Sequence, residues 1–177
     1  RPSAPVPEFF RTAVPCAPPR DSDGQRAASP LEPSSDSEAA ARGTAIHRLL
    51  EKLAGLPPSD YEKAARAYPA ELVETAAAIL RNPEFGFIFK NKSYSEVELA
   101  YIDGEEAKTA RIDRLVFAPD AIWIIDYKSD ASVPDAAPEK YLGQIALYRS
   151  LVAKIYPDKK IRAAILWTSA PKLMEIP

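Results

Sequence analysis

The chain has little of the chemistry that most often marks a metal or redox site: one cysteine, Cys16, and one histidine, His47, in 177 residues. A single thiol excludes an intramolecular disulfide and any zinc or iron–sulfur site built on four cysteines. It fits a reducing compartment. A single imidazole excludes a His-rich zinc centre and the paired-histidine motif of metalloproteases. No apolar run reaches the length of a membrane span, and no charged-then-apolar leader opens the chain. The first residue is Arg1 rather than Met, so the sequence is expected to be a piece of something longer. Net charge is also small, −2 overall, and from Ala41 onward Lys and Arg number 19, as do Asp and Glu. That balance gives no reason to expect strong autonomous binding to phosphates, though it leaves room for a local basic groove. There is no internal repeat and no GxxxxGK[ST] loop, which excludes a nucleotide motor within this piece.

What is present reads as one domain behind a tail. Residues 1–37 hold 8 of the 18 prolines and show no apolar periodicity, as a linker or extended arm would. Its "EFF" is the one stretch that could dock. The remaining 38–177 have enough apolar residues for a core. A helix is expected from Ser37, its N-cap, to a stop at Gly55, with Ile46, Leu49, Leu50 and Leu53 as the buried stripe. A turn and short helix follow over "LPPSDYEKAARAYP", then a helix over "AELVETAAAILRNP" that ends before Pro83. The period then changes. "YSEVELAYI" and "AKTARIDRLVFA" read as a strand pair around the turn "DGEE", "AIWIIDYKS" as a third strand and "IRAAILWT" as a fourth. "KLMEIP" is a possible fifth. A long amphipathic helix, "AAPEKYLGQIALYRSLVAKIYP", separates the third from the fourth. The expected class is α/β, a mixed sheet flanked by helices, with a helical segment at its N-terminal side.

The third strand ends strangely. Alternation places Ile124, Asp126 and Lys128 on one face and Trp123, Ile125 and Tyr127 on the other. An acid and a base thus stand about 7 Å apart along one strand face. On the preceding strand Arg111, Asp113 and Leu115 share a face, and a hairpin through "FAPDA" can bring Asp113 beside Asp126. Two carboxylates brought together repel unless a cation lies between them, and hard oxygen ligands suit Mg²⁺ or Mn²⁺. A neighbouring lysine would face a bound anion or the water attacking it, a set suited to phosphodiester hydrolysis. Taken singly, each piece has an ordinary explanation. A D-x-K pair at a strand end is usually a solvated ion pair, and His47 sits at the edge of an apolar stripe. Glu96 and Glu98 share one face of the first strand as solvated acids would. Gln144 and Tyr148, at i and i+4, point the same way from the long helix, where a tyrosine most often packs.

Their joint order is more specific. "GTAIH", "SEVEL", "ARIDRL", "IIDYKSD" and "GQIALY" resemble, in sequence, the motifs of the PD-(D/E)xK nuclease superfamily. More closely they resemble the RecB-like nuclease domain of the AddAB and RecBCD helicase–nucleases, in particular AddA-type subunits. The resemblance runs from about Gly43 to the end of the chain. It implies a restriction-endonuclease-like core over 38–177 and a metal-dependent, exonuclease-type DNA hydrolase acting in double-strand-break repair and recombination. By position, His47 stands in the family's G-x-x-x-H motif as a metal ligand. Asp113 and Asp126 stand as the principal metal carboxylates, and the backbone carbonyl of Tyr127 completes the coordination. Glu96 stands at the acidic position before the core hairpin, although Glu98 on the same face competes for that role. Lys128 would position the water and stabilise the transition state. Gln144 and Tyr148 match a Q-x-x-x-Y motif that supports the site and contacts DNA. Ala110 departs from the glycine usual three residues before the first aspartate.

The same resemblance implies Mg²⁺ or Mn²⁺ as cofactor and no iron–sulfur cluster, since AddB-type and Cas4-like relatives carry four cysteines for theirs. It implies a DNA strand delivered by a helicase portion, an AddB-like partner subunit, no membrane and a bacterial cytoplasmic location. Residues 1–37 would be the tether between helicase and nuclease. Two other readings remain at this point: a catalytically inactive nuclease fold kept for DNA binding or docking, and a plain α/β interaction domain with an accidental match.

Overall fold

A computed structural model of the chain describes residues 35–130 and 132–177. Most of the expected arm, "EFF" included, lies outside them. Its last three residues are already helical, because α1 runs Ser35–Leu53 and Ser37 stands inside the helix rather than capping it. The expected stripe is buried: Ile46, Leu49, Leu50 and Leu53 are at most 2% exposed. The helix ends through Ala54 N–H to Leu50 C=O and Leu56 N–H to Leu53 C=O. Gly55 does not adopt the left-handed conformation of a glycine stop.

A 3-10 turn at Pro58–Asp60 leads into α2, Tyr61–Ala65, and then α3, Ala70–Arg81. Asn82 is extended, as the residue before a proline must be, and its side chain accepts a hydrogen bond from the Glu84 N–H. A second 3-10 turn, Pro83–Phe85, and a five-residue helix α4, Gly86–Lys90, follow. No periodicity marks α4. Five aromatic-rich residues are too few for a helical period to show.

Five strands form one sheet in chain order: β1 Lys92–Asp103, β2 Glu106–Phe117, β3 Ile122–Lys128, β4 Ile161–Trp167 and β5 Lys172–Ile176. Only β3 and β4 are parallel. The helix α5, Glu139–Ile155, makes the crossover between them that a parallel pair requires. Each sheet face buries its own core. Trp123, Ile125 and Tyr127 point to the side covered by α1 to α4, with Leu49, Ile79 and Ile88. Ile122 and Ile124 point to the side covered by α5, with Ile145, Tyr148 and Val152. The expected mixed α/β architecture and the alternation along β3 both hold. An apolar run buried on both faces is what a central strand beside a parallel neighbour needs.

Candidate metal centre

The alternation expected for β1 and β2 fails at one point, and the site is built there. Pairing is in register on both sides of the break, Ser95 with Arg114 and Val97 with Ile112, but the rung between Glu96 and Asp113 is missing. Glu96 has φ 51, the sole non-glycine residue with positive φ among the described residues. The ribbon turns over at that residue. Before it, Ser93 and Ser95 face Arg114 on the side of α4. After it, Val97 and Leu99 join Ala110 and Ile112 in the core beneath α5. A glutamate in the left-handed region is strained by about 1 kcal/mol or more. The conformation brings the Glu96 carboxylate to His47 and Asp113: one donor atom from each of the three lies within 4.8 Å of the others. Glu98 stands opposite Arg111 in the register and is exposed. The two acids therefore do not play equivalent parts, as a regular strand would have made them.

Each member of the trio is held from a different element. Pairing of β2 with β3 stops at Arg114 and Ile125, one rung before Asp113. The Asp113 carboxylate takes up the freed N–H of Tyr127, which donates to Oδ2 at 2.7 Å. Its Oδ1 lies 3.9 Å from His47 Nδ1. His47 comes from α1, which approaches the end of β3 closely at Gly43: a Cβ there would sit 2.3 Å from Ser129 Oγ. Glycine at that position permits the approach. The His47 ring then meets the Tyr127 ring edge to face, centroids 5.1 Å apart.

Burial pushes the Asp113 and Glu96 carboxyls above their ordinary range, with the Tyr127 N–H pulling Asp113 back and the Arg111 guanidinium pulling Glu96 back. Burial also lowers His47, against the neighbouring acids. Two carboxyls whose burial a nearby cation would offset, and an imidazole whose protonation burial disfavours, make a donor set that fits a hard divalent cation.

The second half of the site lies along β3. Asp126, 2% exposed, is raised by burial and pulled back by Lys128, whose Nζ stands 2.7 Å from Oδ2. The contact is a close ion pair without the alignment of a hydrogen bond. Lys128 Nζ donates to Gln144 Oε1 at 3.3 Å, and Gln144 Nε2 donates to the Tyr148 hydroxyl at 2.6 Å. That hydroxyl donates to the Arg111 carbonyl at 2.7 Å. The expected Q-x-x-x-Y pair is thus a bridge from the lysine on β3 to the ribbon on β2. Beyond it, Thr168 fixes the strand end by donating its N–H and hydroxyl to the Lys128 carbonyl. The Tyr141 hydroxyl holds Asp130, and the Tyr141 ring lies under the Lys128 ammonium.

A cleft of about 660 Å³ opens over these groups, lined by His47, Asp113, Asp126, Tyr127, Lys128, Gln144 and Tyr148. All of the expected site residues except Glu96 line it, and Glu96 joins through the His47–Asp113 cluster. Asp126 lies outside the tight trio and turns toward Lys128 instead. The sequence assigned no role to Arg111, Tyr101, Thr109 or Leu147, which also line the cleft. For Arg111 a signal existed, since alternation grouped it with Asp113.

Compared with known protein families, residues 22–174 match the one described as the PD-(D/E)XK nuclease superfamily. The match begins within the expected tether, covers every site residue above and stops within β5. A search of the curated proteins finds no match. Among solved structures, the crystal structure of SSO0001 aligns with 75% of this chain and 75% of its own, at 14% identity and a TM-score of 0.39. A likeness of that strength carries no argument.

Proposed function

The chain belongs to the PD-(D/E)XK nuclease superfamily, and from that premise we propose that it hydrolyses DNA phosphodiesters in a divalent-metal-dependent reaction. The observation that carries the reading is the convergence of His47, Glu96 and Asp113 beside the Asp126–Lys128 pair at the floor of one cleft. His47, Asp113 and Asp126, with the Tyr127 carbonyl, would hold Mg²⁺ or Mn²⁺, and Glu96 would complete or adjust the set. The cation supplies Lewis acidity toward water and phosphoryl oxygen. Asp113 is oriented by the Tyr127 N–H, so one of its oxygens is fixed and the other remains for the site. Lys128 is pinned between Asp126 and Gln144 and directs an ammonium proton to the oxygen on which charge develops. Gln144 and Tyr148 keep that ammonium in place and hold the ribbon wall at a set distance from α5.

The order of the five motifs supports a narrower reading: the exonuclease domain of an AddA-type helicase–nuclease in the bacterial cytoplasm, paired with an AddB-like subunit and fed a single strand by its motor. Asp113→Ala, Asp126→Ala and Lys128→Ala are each expected to lower Mg²⁺-dependent cleavage of labelled DNA by about 10³-fold or more, with the circular dichroism of the folded chain retained. Undiminished cleavage in all three rejects the nuclease reading. The wider assignment is checked in the full-length protein by ATP-dependent unwinding of duplex ends.

A further inference from the structure

Arg111 is the unexplained cation of the cleft. Lys128 and Arg111 are the only lysine or arginine among the residues lining it, and Lys128 is already engaged by Asp126 and Gln144. The Arg111 side chain is 63% exposed and rests on Glu96, Nε to Oε2 3.1 Å, although Glu98 is its direct cross-strand neighbour. Its backbone cannot follow the side chain, because the Arg111 carbonyl is held by the Tyr148 hydroxyl and the residue is paired within the ribbon. A long side chain with a fixed root, on a weak exposed ion pair, can change partners cheaply. The partner it covers is a member of the donor trio.

We propose that Arg111 is a phosphate-binding residue held in reserve by Glu96: with Glu96 committed to a divalent cation, the guanidinium turns to the DNA backbone in the cleft. This rests on the nuclease reading and adds to it a group that couples metal loading to substrate binding. Chemistry favours the exchange. A divalent cation and a guanidinium compete for the same carboxylate, and their charges repel. A phosphodiester offers the released guanidinium two oxygens in the forked geometry it matches best. The coupling gives Arg111 two effects of opposite sign. It weakens metal binding in the free protein and strengthens DNA binding in the metal-loaded one.

The test measures both on the 177-residue chain. Mn²⁺ affinity is read by calorimetry without DNA. Affinity for a short fluorescein-labelled single strand is read by anisotropy across a salt series, with Ca²⁺ replacing Mg²⁺ to suppress cleavage. Arg111→Ala is expected to tighten Mn²⁺ by about 2-fold to 5-fold, to weaken the oligonucleotide by about 10-fold and to reduce the salt slope by about 0.7, the loss of one phosphate contact. Arg111→Lys is expected to recover the slope but only part of the affinity. Weaker Mn²⁺ binding and weaker DNA binding together would make Arg111 a structural prop and overturn the proposal. Unchanged DNA affinity or unchanged Mn²⁺ affinity would overturn it as well. Wild-type chain that takes up no Mn²⁺ would reject the nuclease reading and this inference with it. Wild type that binds metal and cleaves, with an inert Arg111, would reject the inference alone.

Discussion

Strand β3 is buried from Ile122 through Tyr127 and paired with β2 as far as Ile125 and with β4 along its whole length, whereas the β1–β2 ribbon beyond Glu96 pairs with no third strand and has an exposed tip. The two meet at the site and hold their functional groups by different means. On β3, burial in two cores fixes Asp126, and the strand end is locked by Thr168. On the ribbon, Glu96 and Asp113 sit where the ladder is interrupted. Their placement depends on side-chain ties: Arg114 at the root, the Asp113 bond to Tyr127 N–H, and the Tyr148 bond to Arg111 C=O. The sheet centre therefore supplies a buried acid, Asp126, and beside it a base, Lys128, rooted on the same strand. The ribbon supplies candidate ligands, Glu96 and Asp113, whose position a few side chains can tune. Polar groups placed by specific ties are more sensitive to single substitutions than groups placed by a packed strand.

The largest expected effect attacks the root of the ribbon. Arg114, 6% exposed, donates to Ile88 C=O, Ser95 Oγ and Ser93 Oγ and stacks on Phe89. Arg114→Ala should cost about 3 kcal/mol in urea unfolding and weaken metal binding, although Arg114 is not a ligand. A loss below about 0.5 kcal/mol would show that the ribbon is held in some other way.

Next comes the response to pH. Burial raises Glu96, Asp113 and Asp126 and lowers His47. Without metal, the folded acids bind more protons than the unfolded ones just above the ordinary carboxylate range. Their contribution to stability is therefore lost as pH rises through their raised values. His47 has the opposite sign, and stability is lost as pH falls from 6.5 toward its lowered value. A cation competes with protons at all of these donors. Its stabilisation should be near zero at about pH 4 and grow with pH to about 2.7 kcal/mol at a hundredfold excess over Kd near neutrality. Denaturation with and without Mg²⁺ across that range reads it directly.

A smaller effect tests the bridge between the two regions. Tyr148→Phe leaves the Arg111 carbonyl and the Gln144 amide without the shared hydroxyl. It should cost about 1 kcal/mol of stability and lower cleavage about 10-fold through a looser Lys128. The smallest effect sharpens the contrast within β1. Glu98→Ala should change stability by less than about 0.5 kcal/mol and leave Mn²⁺ affinity unchanged in calorimetry. Glu96→Ala should lower that affinity.

These contrasts follow what could be read in the sequence. The centre of the fold was legible because β3 and α1 obey a single period, so Asp126, Lys128 and His47 could be placed from spacing. The Gln144 and Tyr148 pair was legible for the same reason, although its role as a bridge to the ribbon was not. The turnover at Glu96 could not be read, because positive φ is signalled by glycine and a glutamate there gives no warning. With it went the difference between Glu96 and Glu98, and the place of Arg111 over Glu96. The helix start at Ser35 was hidden by the prolines before it. The short α4, which presents the Ile88 carbonyl to Arg114, was hidden by its length.

The most direct measurement is the position of a bound ion. Crystals grown or soaked with Mn²⁺ and measured for its anomalous scattering should show a peak among His47, Asp113 and Asp126, with Glu96 within reach of it. No peak at saturating Mn²⁺, or a peak bound away from Asp113, would contradict the account.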